Sequence, residues 1–177
     1  ILKVDERKVE LGMKISGLNN GWHKLTGVVY DNAQNKSDFE SVSFFVDTVP
    51  PVIKEMPSYS NVNILKIECF DKESGIDEQK IFHKVDESQE WESGETVELC
   101  EGYSDVSWMV YDKAGNRQIY TSTILIDTHG PKISYEINEY YNSSFITLER
   151  FTVNDEYSEK LEMSYSFDGG VIRKFPE

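Results

Sequence analysis

Apolar and polar residues alternate with a period of two over much of the chain. The clearest runs are 65–69, 106–110 and 119–125, and Gly-containing turns separate them. A period of two sends successive side chains to opposite faces of a β-strand. Six or seven short strands within about 80 residues, with no helical stretch between them, predict an antiparallel β-sandwich.

The chain also repeats itself. Segment 29–36 (VYDNAQNK) matches segment 110–117 (VYDKAGNR), and segment 45–53 matches segment 125–133. A third copy begins at Pro131. A repeat of this length indicates one structural unit per copy. We therefore expect a complete module at 51–130, the C-terminal part of a module at 1–50 and the N-terminal part of a further module at 131–177. The two incomplete modules could complement each other between neighbouring molecules.

Each copy ends with a strand, a Tyr-Asp-x-Ala-x-Asn turn, a second strand, a Val/Ile-Asp-Thr segment and a proline. This order resembles the bacterial immunoglobulin-like (Big-type) repeats found in tandem in large surface adhesins and other extracellular proteins. The resemblance covers nearly the whole chain, although Gln34 replaces the Gly115 of the second copy. It implies tandem immunoglobulin-like sandwiches in an extracellular or cell-surface protein, with the secretion signal and anchor outside this segment.

Composition agrees with strands and excludes two classes of partner. The chain has 15 Val and 14 Ile but only 2 Ala, and β-branched residues suit a pleated surface better than a helix. Its formal charge of −14 opposes nucleic-acid phosphates and anionic lipid headgroups. No apolar run approaches the roughly 18 residues that a membrane-spanning helix needs. We therefore expect neither nucleic-acid binding nor membrane insertion.

Four aspartates are candidate ligands for Ca²⁺. Asp47 and Asp127 precede the prolines at the two module junctions, whereas Asp71 and Asp77 lie in a loop of the complete module. Carboxylate oxygens are the ligands that Ca²⁺ prefers, and the resemblance implies that some junctions of this kind are stiffened by Ca²⁺. The alternative is that these acidic loops are solvated and bind no ion.

The segment from Asp112 to Asn116 also has two interpretations. It could supply Ca²⁺ ligands or a binding tip, or it could simply be a turn in which Asp accepts backbone N–H groups while Gly and Asn adopt positive φ. Asp31 and Asn35 occupy the matching positions in the first copy. A repeated fold needs its turn in every copy, so the repetition favours the turn.

Aromatic residues and cysteines offer further candidates. Trp22 and Tyr103 share one repeat position, which favours packing in the core at a sheet corner. Trp91 follows a polar segment and is the best candidate for an exposed contact residue. Cys69 and Cys100 could form a bridge or remain as two reduced thiols.

No catalytic constellation accompanies these features. None of the three histidines recurs in the neighbouring copy, and no phosphate-binding loop or nucleophile elbow occurs. The sequence predicts a non-catalytic spacer or adhesion module, in contact with neighbouring modules and with a host or cell-surface protein or glycan. The alternative is an ancillary carbohydrate-binding or linker module of an extracellular carbohydrate-active enzyme, with Trp91 contacting the glycan.

Overall fold

The computed structural model describes residues 1–138, 142, 144, 150–158, 161–166 and 173–174, without the side chains of residues 39, 40, 165 and 174. The described part of the chain forms β-strands and turns and contains no helix. It divides into two compact units, residues 1–126 and residues 127–177. None of its elements is a helix long and apolar enough to cross a membrane.

The first unit contains a four-stranded sheet followed by a β-sandwich. Its strands are β1 (Leu2–Val4), β2 (Arg7–Val9), β3 (Gly21–Tyr30), β4 (Lys36–Val46), β5 (Val52–Ile53), β6 (Tyr59–Ser60), β7 (Ile64–Lys66), β8 (Cys69–Phe70), β9 (Ile76–Val85), β10 (Glu92–Ser93), β11 (Thr96–Glu98), β12 (Gly102–Asp112) and β13 (Arg117–Ile126). The four-stranded sheet has the order β2-β1-β3-β4. The sandwich combines a five-stranded sheet, β10-β9-β12-β13-β6, with the pairs β5-β8 and β7-β11.

The core of the sandwich follows the alternation seen in the sequence. In β12 the side chains of Val106, Trp108 and Val110 are fully buried, and the residues between them are not. Neighbouring strands and loops add the other members of this core: Leu65, Ile67, Ile81, Val97, Leu99, Ile124 and Ile126. The strand pairs are antiparallel except β13 with β6. The predicted all-β fold with an antiparallel β-sandwich is therefore confirmed.

The four-stranded sheet repeats local details of the sandwich. Asp5 and Asp86 both have left-handed φ, of 54° and 50°. Each exchanges hydrogen bonds with the neighbouring long strand of its sheet: the N–H of Lys24 in β3 donates to the Asp5 carboxylate at 3.0 Å, and the N–H of Asp105 in β12 donates to the Asp86 carboxylate at 2.8 Å. The sequence repeat between the two segments thus has a counterpart in backbone conformation.

The second unit begins just after β13. Its described strands are β14 (Lys132–Tyr135), which pairs with β15 (Phe151–Asn154), and β16 (Ser164–Tyr165), which pairs with β17 (Arg173–Lys174). Both pairs are antiparallel. The predicted boundaries at residues 50 and 130 stay a prediction.

The placement of Trp22 and Tyr103 in the core was wrong. Their side chains are 73% and 70% exposed. In β12 the buried positions are even-numbered from Ser104 to Asp112, so Tyr103 falls on the outer face. Trp22, at the matching position of β3, is exposed in the same way.

Both cysteines are free thiols. Cys69 packs against the core and Cys100 is exposed. Burial raises the pKa of the Cys69 thiol, and the nearby Glu95 carboxylate raises it further. Since the neutral thiol is the less nucleophilic form, Cys69 is a packing residue.

Candidate functional site: a carboxylate cluster at residues 47, 71 and 112

The first wall of the candidate site is the turn between β12 and β13. The backbone N–H of Asn116 donates to one carboxylate oxygen of Asp112 at 2.8 Å, and the Asn116 side-chain amide donates to the other at 2.7 Å. Gly115 has φ of 95°, a left-handed conformation that suits glycine. The predicted turn is therefore confirmed, and it is fully buried at Asp112.

The same turn exists in the first copy, but at the surface. Asn35 donates to the Asp31 carboxylate through its N–H and its side-chain amide, both at 2.7 Å. Gln34 has a left-handed φ of 68°, in the same region as the 95° of its counterpart Gly115 in the second copy. Asp31 is exposed. The hydrogen bonds thus form within the turn in both copies, whereas the burial of Asp112 depends on a second segment that packs against this turn.

The segment that follows β4 supplies this packing. The side-chain amide of Asn116 also donates to the backbone carbonyl of Asp47 at 3.1 Å and to that of Val49 at 3.4 Å. Since Asn116 belongs to the sandwich and Asp47 follows the four-stranded sheet, these bonds fasten the connecting segment to the sandwich. The two parts of the first unit therefore meet at this point.

Asp47 forms the second wall of the site. It is only 8% exposed. One of its carboxylate oxygens accepts the Val49 N–H at 2.9 Å, and the other accepts the Ser74 N–H at 3.1 Å. The side-chain hydroxyl of Ser74, followed by the Val49 N–H, lowers the pKa of Asp47, although burial opposes the change. Hydrogen bonding to the charged form therefore keeps Asp47 ionised at neutral pH.

Asp71 completes the cluster from the loop between β8 and β9. The N–H of Gly75 donates to its carboxylate at 2.7 Å and closes the loop. One carboxylate oxygen from each of Asp47, Asp71 and Asp112 lies within 4.8 Å of the others. Within the described part of the chain, no Lys, Arg or His side chain forms an ion pair with them.

Three carboxylates at this separation repel one another, and two of them are largely withdrawn from water. Burial of a charge is costly unless an opposite charge compensates for it. Carboxylate oxygens that converge from three segments match the oxygen-rich, flexible coordination of Ca²⁺. The chemistry that this arrangement supports is therefore the binding of a hard divalent cation, with backbone carbonyls or water completing its shell.

The four aspartates selected from the sequence lie in different places. Asp47 and Asp71 are together in the cluster. Asp77 lies outside it and pairs with Lys80 at 3.0 Å, and this pair lowers the pKa of the Asp77 carboxyl. Asp127 belongs to the second unit and accepts the His129 N–H at 3.2 Å. The sequence thus identified two of the three clustered residues.

For Asp112 the sequence allowed either a Ca²⁺ ligand or a turn residue, and the repetition favoured the turn. A signal for its burial was present, because Val106, Trp108 and Val110 set the phase of β12 and Asp112 continues it. A charged residue at a core-facing position needs a partner in the folded state. Both roles coexist in the structure, since Asp112 holds the turn and also faces the cluster.

The second unit contains a groove of about 390 Å³, whose lining includes Asp127, Asp155 and Glu156 together with Lys132. Among the described residues, these carboxylates do not converge as those of Asp47, Asp71 and Asp112 do. The Asp155 carboxylate accepts the N–H groups of Tyr157 at 3.1 Å and Ser158 at 2.8 Å, as Asp71 accepts that of Gly75. The two loops differ in geometry, because Asp155 bonds residues two and three positions later whereas Asp71 bonds the residue four positions later.

The side chain of Trp91 is partly buried and not fully exposed. The ammonium group of Lys84 lies over its indole, 5.3 Å from the ring centroid. This cation–π contact follows from the antiparallel pairing of Glu92 with His83, which places Trp91, just before Glu92, opposite Lys84, just after His83. Lys84 therefore occupies one face of the ring that was expected to contact a ligand.

Comparisons with known proteins leave the family open. No family model matches the chain, and no curated protein matches it. Among solved structures the chain is similar to the fibronectin(III)-like modules of Clostridium thermocellum CbhA, with 17% identity over 63% of this chain, 65% of that chain and a TM-score of 0.35. The chain thus spans somewhat less than two thirds of that protein's length. At this level of similarity, neither the function nor the partners of that protein transfer to this chain.

Proposed function

We propose that this chain is part of a non-catalytic spacer built from tandem immunoglobulin-like modules, in a larger bacterial cell-surface or secreted protein. Its mechanical role is to hold successive modules in a fixed relation and so to project a binding region. Such a role depends on the junctions, because a flexible linker would let the modules move independently.

The observation that supports the proposal is the attachment of the segment after β4 to the sandwich. Asn116 donates to the carbonyls of Asp47 and Val49, and the Ser74 N–H donates to the Asp47 carboxylate. Pro50 and Pro51 follow directly and restrict the backbone further. A linker with these constraints favours a stiff connection.

The proposal includes Ca²⁺ as the ion of this junction. Asp47, Asp71 and Asp112 would hold it, and the ion would neutralise three converging carboxylates. Each carboxylate comes from a different segment, so the ion would cross-link the connecting segment, the β8–β9 loop and the β12–β13 turn. Asp127, which lines a groove of the second unit with Asp155 and Glu156, is a further Ca²⁺ ligand that we propose.

A thermal melt with and without Ca²⁺ tests this part of the proposal. We expect millimolar Ca²⁺ to raise the melting temperature of the full chain and a chelator to reverse the rise, because an ion that binds only the folded state stabilises it. At 100 times its dissociation constant the gain is about 2.7 kcal/mol. The Asp71→Asn variant should lose most of the Ca²⁺-dependent rise.

Asp77→Asn is the matched control. Its carboxylate lies at the start of β9, close in sequence to the Asp71 loop, but pairs with Lys80 outside the cluster, so this variant should keep the full response to Ca²⁺. An unchanged melt in the parent chain would contradict the metal proposal. An equal loss of response in both variants would show that the loop charge in general, rather than the cluster, attracts the ion.

A further inference from the structure

A second feature lies beside the carboxylate cluster. A groove of about 300 Å³ is lined by Trp22, Phe45, Glu73, Ser74, Lys113 and Ala114. The two aromatic residues belong to the four-stranded sheet, whereas the others come from the β8–β9 loop and the β12–β13 turn of the sandwich. The groove therefore exists only where the two parts of the first unit meet.

Trp22 forms an exposed but fixed wall of this groove. It pairs in register with Phe45 across β3 and β4, and the two rings meet edge to face with centroids 5.3 Å apart. The Trp22 side chain nevertheless remains 73% exposed. An aromatic ring held from one side and open on the other is a rigid stacking surface, and a rigid surface loses little conformational entropy when a ligand binds.

The opposite side of the groove carries polar groups of both signs. Lys113 and Glu73 line the groove, and the Lys113 ammonium group lies next to Gly75 and contributes, after Lys80, to lowering the pKa of Asp77. Both residues are exposed, and neither forms an ion pair with another described residue. Ala114 and Ser74 are small and leave space between the aromatic wall and the charged groups. The groove thus combines an apolar face with one strong donor and one strong acceptor.

This combination matches a sugar ring better than other ligands. A pyranose has an apolar C–H face, which stacks on an indole, and hydroxyl groups, which need donors and acceptors at the edge. A nucleobase could also stack on Trp22, but its phosphates would meet a chain of formal charge −14. The same field disfavours uronates and other anionic sugars. The volume, at the lower end for ligand sites, suits a short length of glycan.

We propose that this groove binds a neutral glycan, with one pyranose residue stacked on Trp22 and its hydroxyl groups bonded to Lys113 and Glu73. This site goes beyond the spacer function and does not require it, since a spacer without glycan affinity would still project its neighbours. Formation of the groove does depend on the junction, because its walls come from both parts of the first unit.

Titration of the full chain with a panel of neutral hexasaccharides (cello-, xylo-, manno- and chito-oligosaccharides) tests the proposal, with Ca²⁺ present throughout. Tryptophan fluorescence and calorimetry should show saturable binding to at least one member. The Trp22→Ala variant should bind it at least about tenfold more weakly, because truncation of a central aromatic contact is costly. Trp22→Phe should retain part of the affinity.

Trp91→Ala is the matched control, since it removes a tryptophan that lies outside the groove. It should bind as the parent chain does. Trp22→Ala should also melt at nearly the parent temperature, which would separate lost contact from lost folding. Absence of saturable binding across the panel, or equal binding by Trp22→Ala, would overturn the proposal. Self-association that depends on Trp22 without glycan binding would instead assign the groove to a second copy of the chain.

Discussion

Replacement of Trp108 by alanine is expected to destabilise the sandwich by about 3–5 kcal/mol, the range for truncation of a large buried aromatic side chain. Trp108 is fully buried at the centre of β12, between Val106 and Val110, so its removal leaves a cavity in the main core. Because small domains are stable by only about 5–15 kcal/mol, much of the folded population could be lost. Chemical denaturation followed by circular dichroism would measure the change.

Two control variants test whether the destabilisation comes from lost packing in the core. The indole N–H of Trp108 has no hydrogen-bond partner among the described residues, so Trp108→Phe should lose far less than Trp108→Ala. Trp22→Ala, at an exposed position, should change stability by no more than about 0.5 kcal/mol. A small effect of Trp108→Ala would contradict the assignment of this residue to the core.

The second large effect is expected at Asp112. In Asp112→Ala the backbone and side-chain N–H groups of Asn116 lose their buried acceptor, and we expect a loss of about 2–4 kcal/mol for two such donors. The bonds from Asn116 to the carbonyls of Asp47 and Val49 should weaken with it, since one side-chain amide makes all three contacts. Denaturation in the presence of chelator removes the contribution of any bound ion, and the measured change then combines the lost hydrogen bonds with the relief of repulsion among the carboxylates.

The chain offers its own control in Asp31. The hydrogen bonds from Asn35 to Asp31 have nearly the same lengths as those from Asn116 to Asp112, but Asp31 is exposed. Water can replace the lost acceptor there, so Asp31→Ala should cost much less. Equal losses of stability in the two variants would show that the hydrogen bonds of the turn account for the whole effect. Burial at the junction would then not increase the loss.

Much of the fold follows from the sequence. The alternation in β12 and β13 specifies which side chains face the core, because a strand that buries one face cannot slip by one residue without exposing its apolar set. The same rule could have placed Tyr103 outside, since it is out of phase with Val106. The recurrence of an aromatic residue at this position did not indicate burial, because an exposed residue can recur as regularly as a buried one.

The candidate site was only partly predictable. Asp47 and Asp71 stood out because they lie at a junction and in an acidic loop. Asp112 did not, because the turn it stabilises already explained its presence. The separation of Asp77 from the cluster and the contact of Lys84 with Trp91 depend on loop conformation and strand register. Such details arise from tertiary packing, which local pattern does not encode.

We expect the junction to hold residues 1–50 and 51–126 in one fixed orientation. Residual dipolar couplings of backbone N–H groups, measured on the full chain with Ca²⁺, report the relative orientation of these two segments. If the junction is stiff, one alignment tensor fits the couplings of both segments. Two different tensors under these conditions would show that the segments move independently, and would contradict the stiff junction on which the proposed spacer depends.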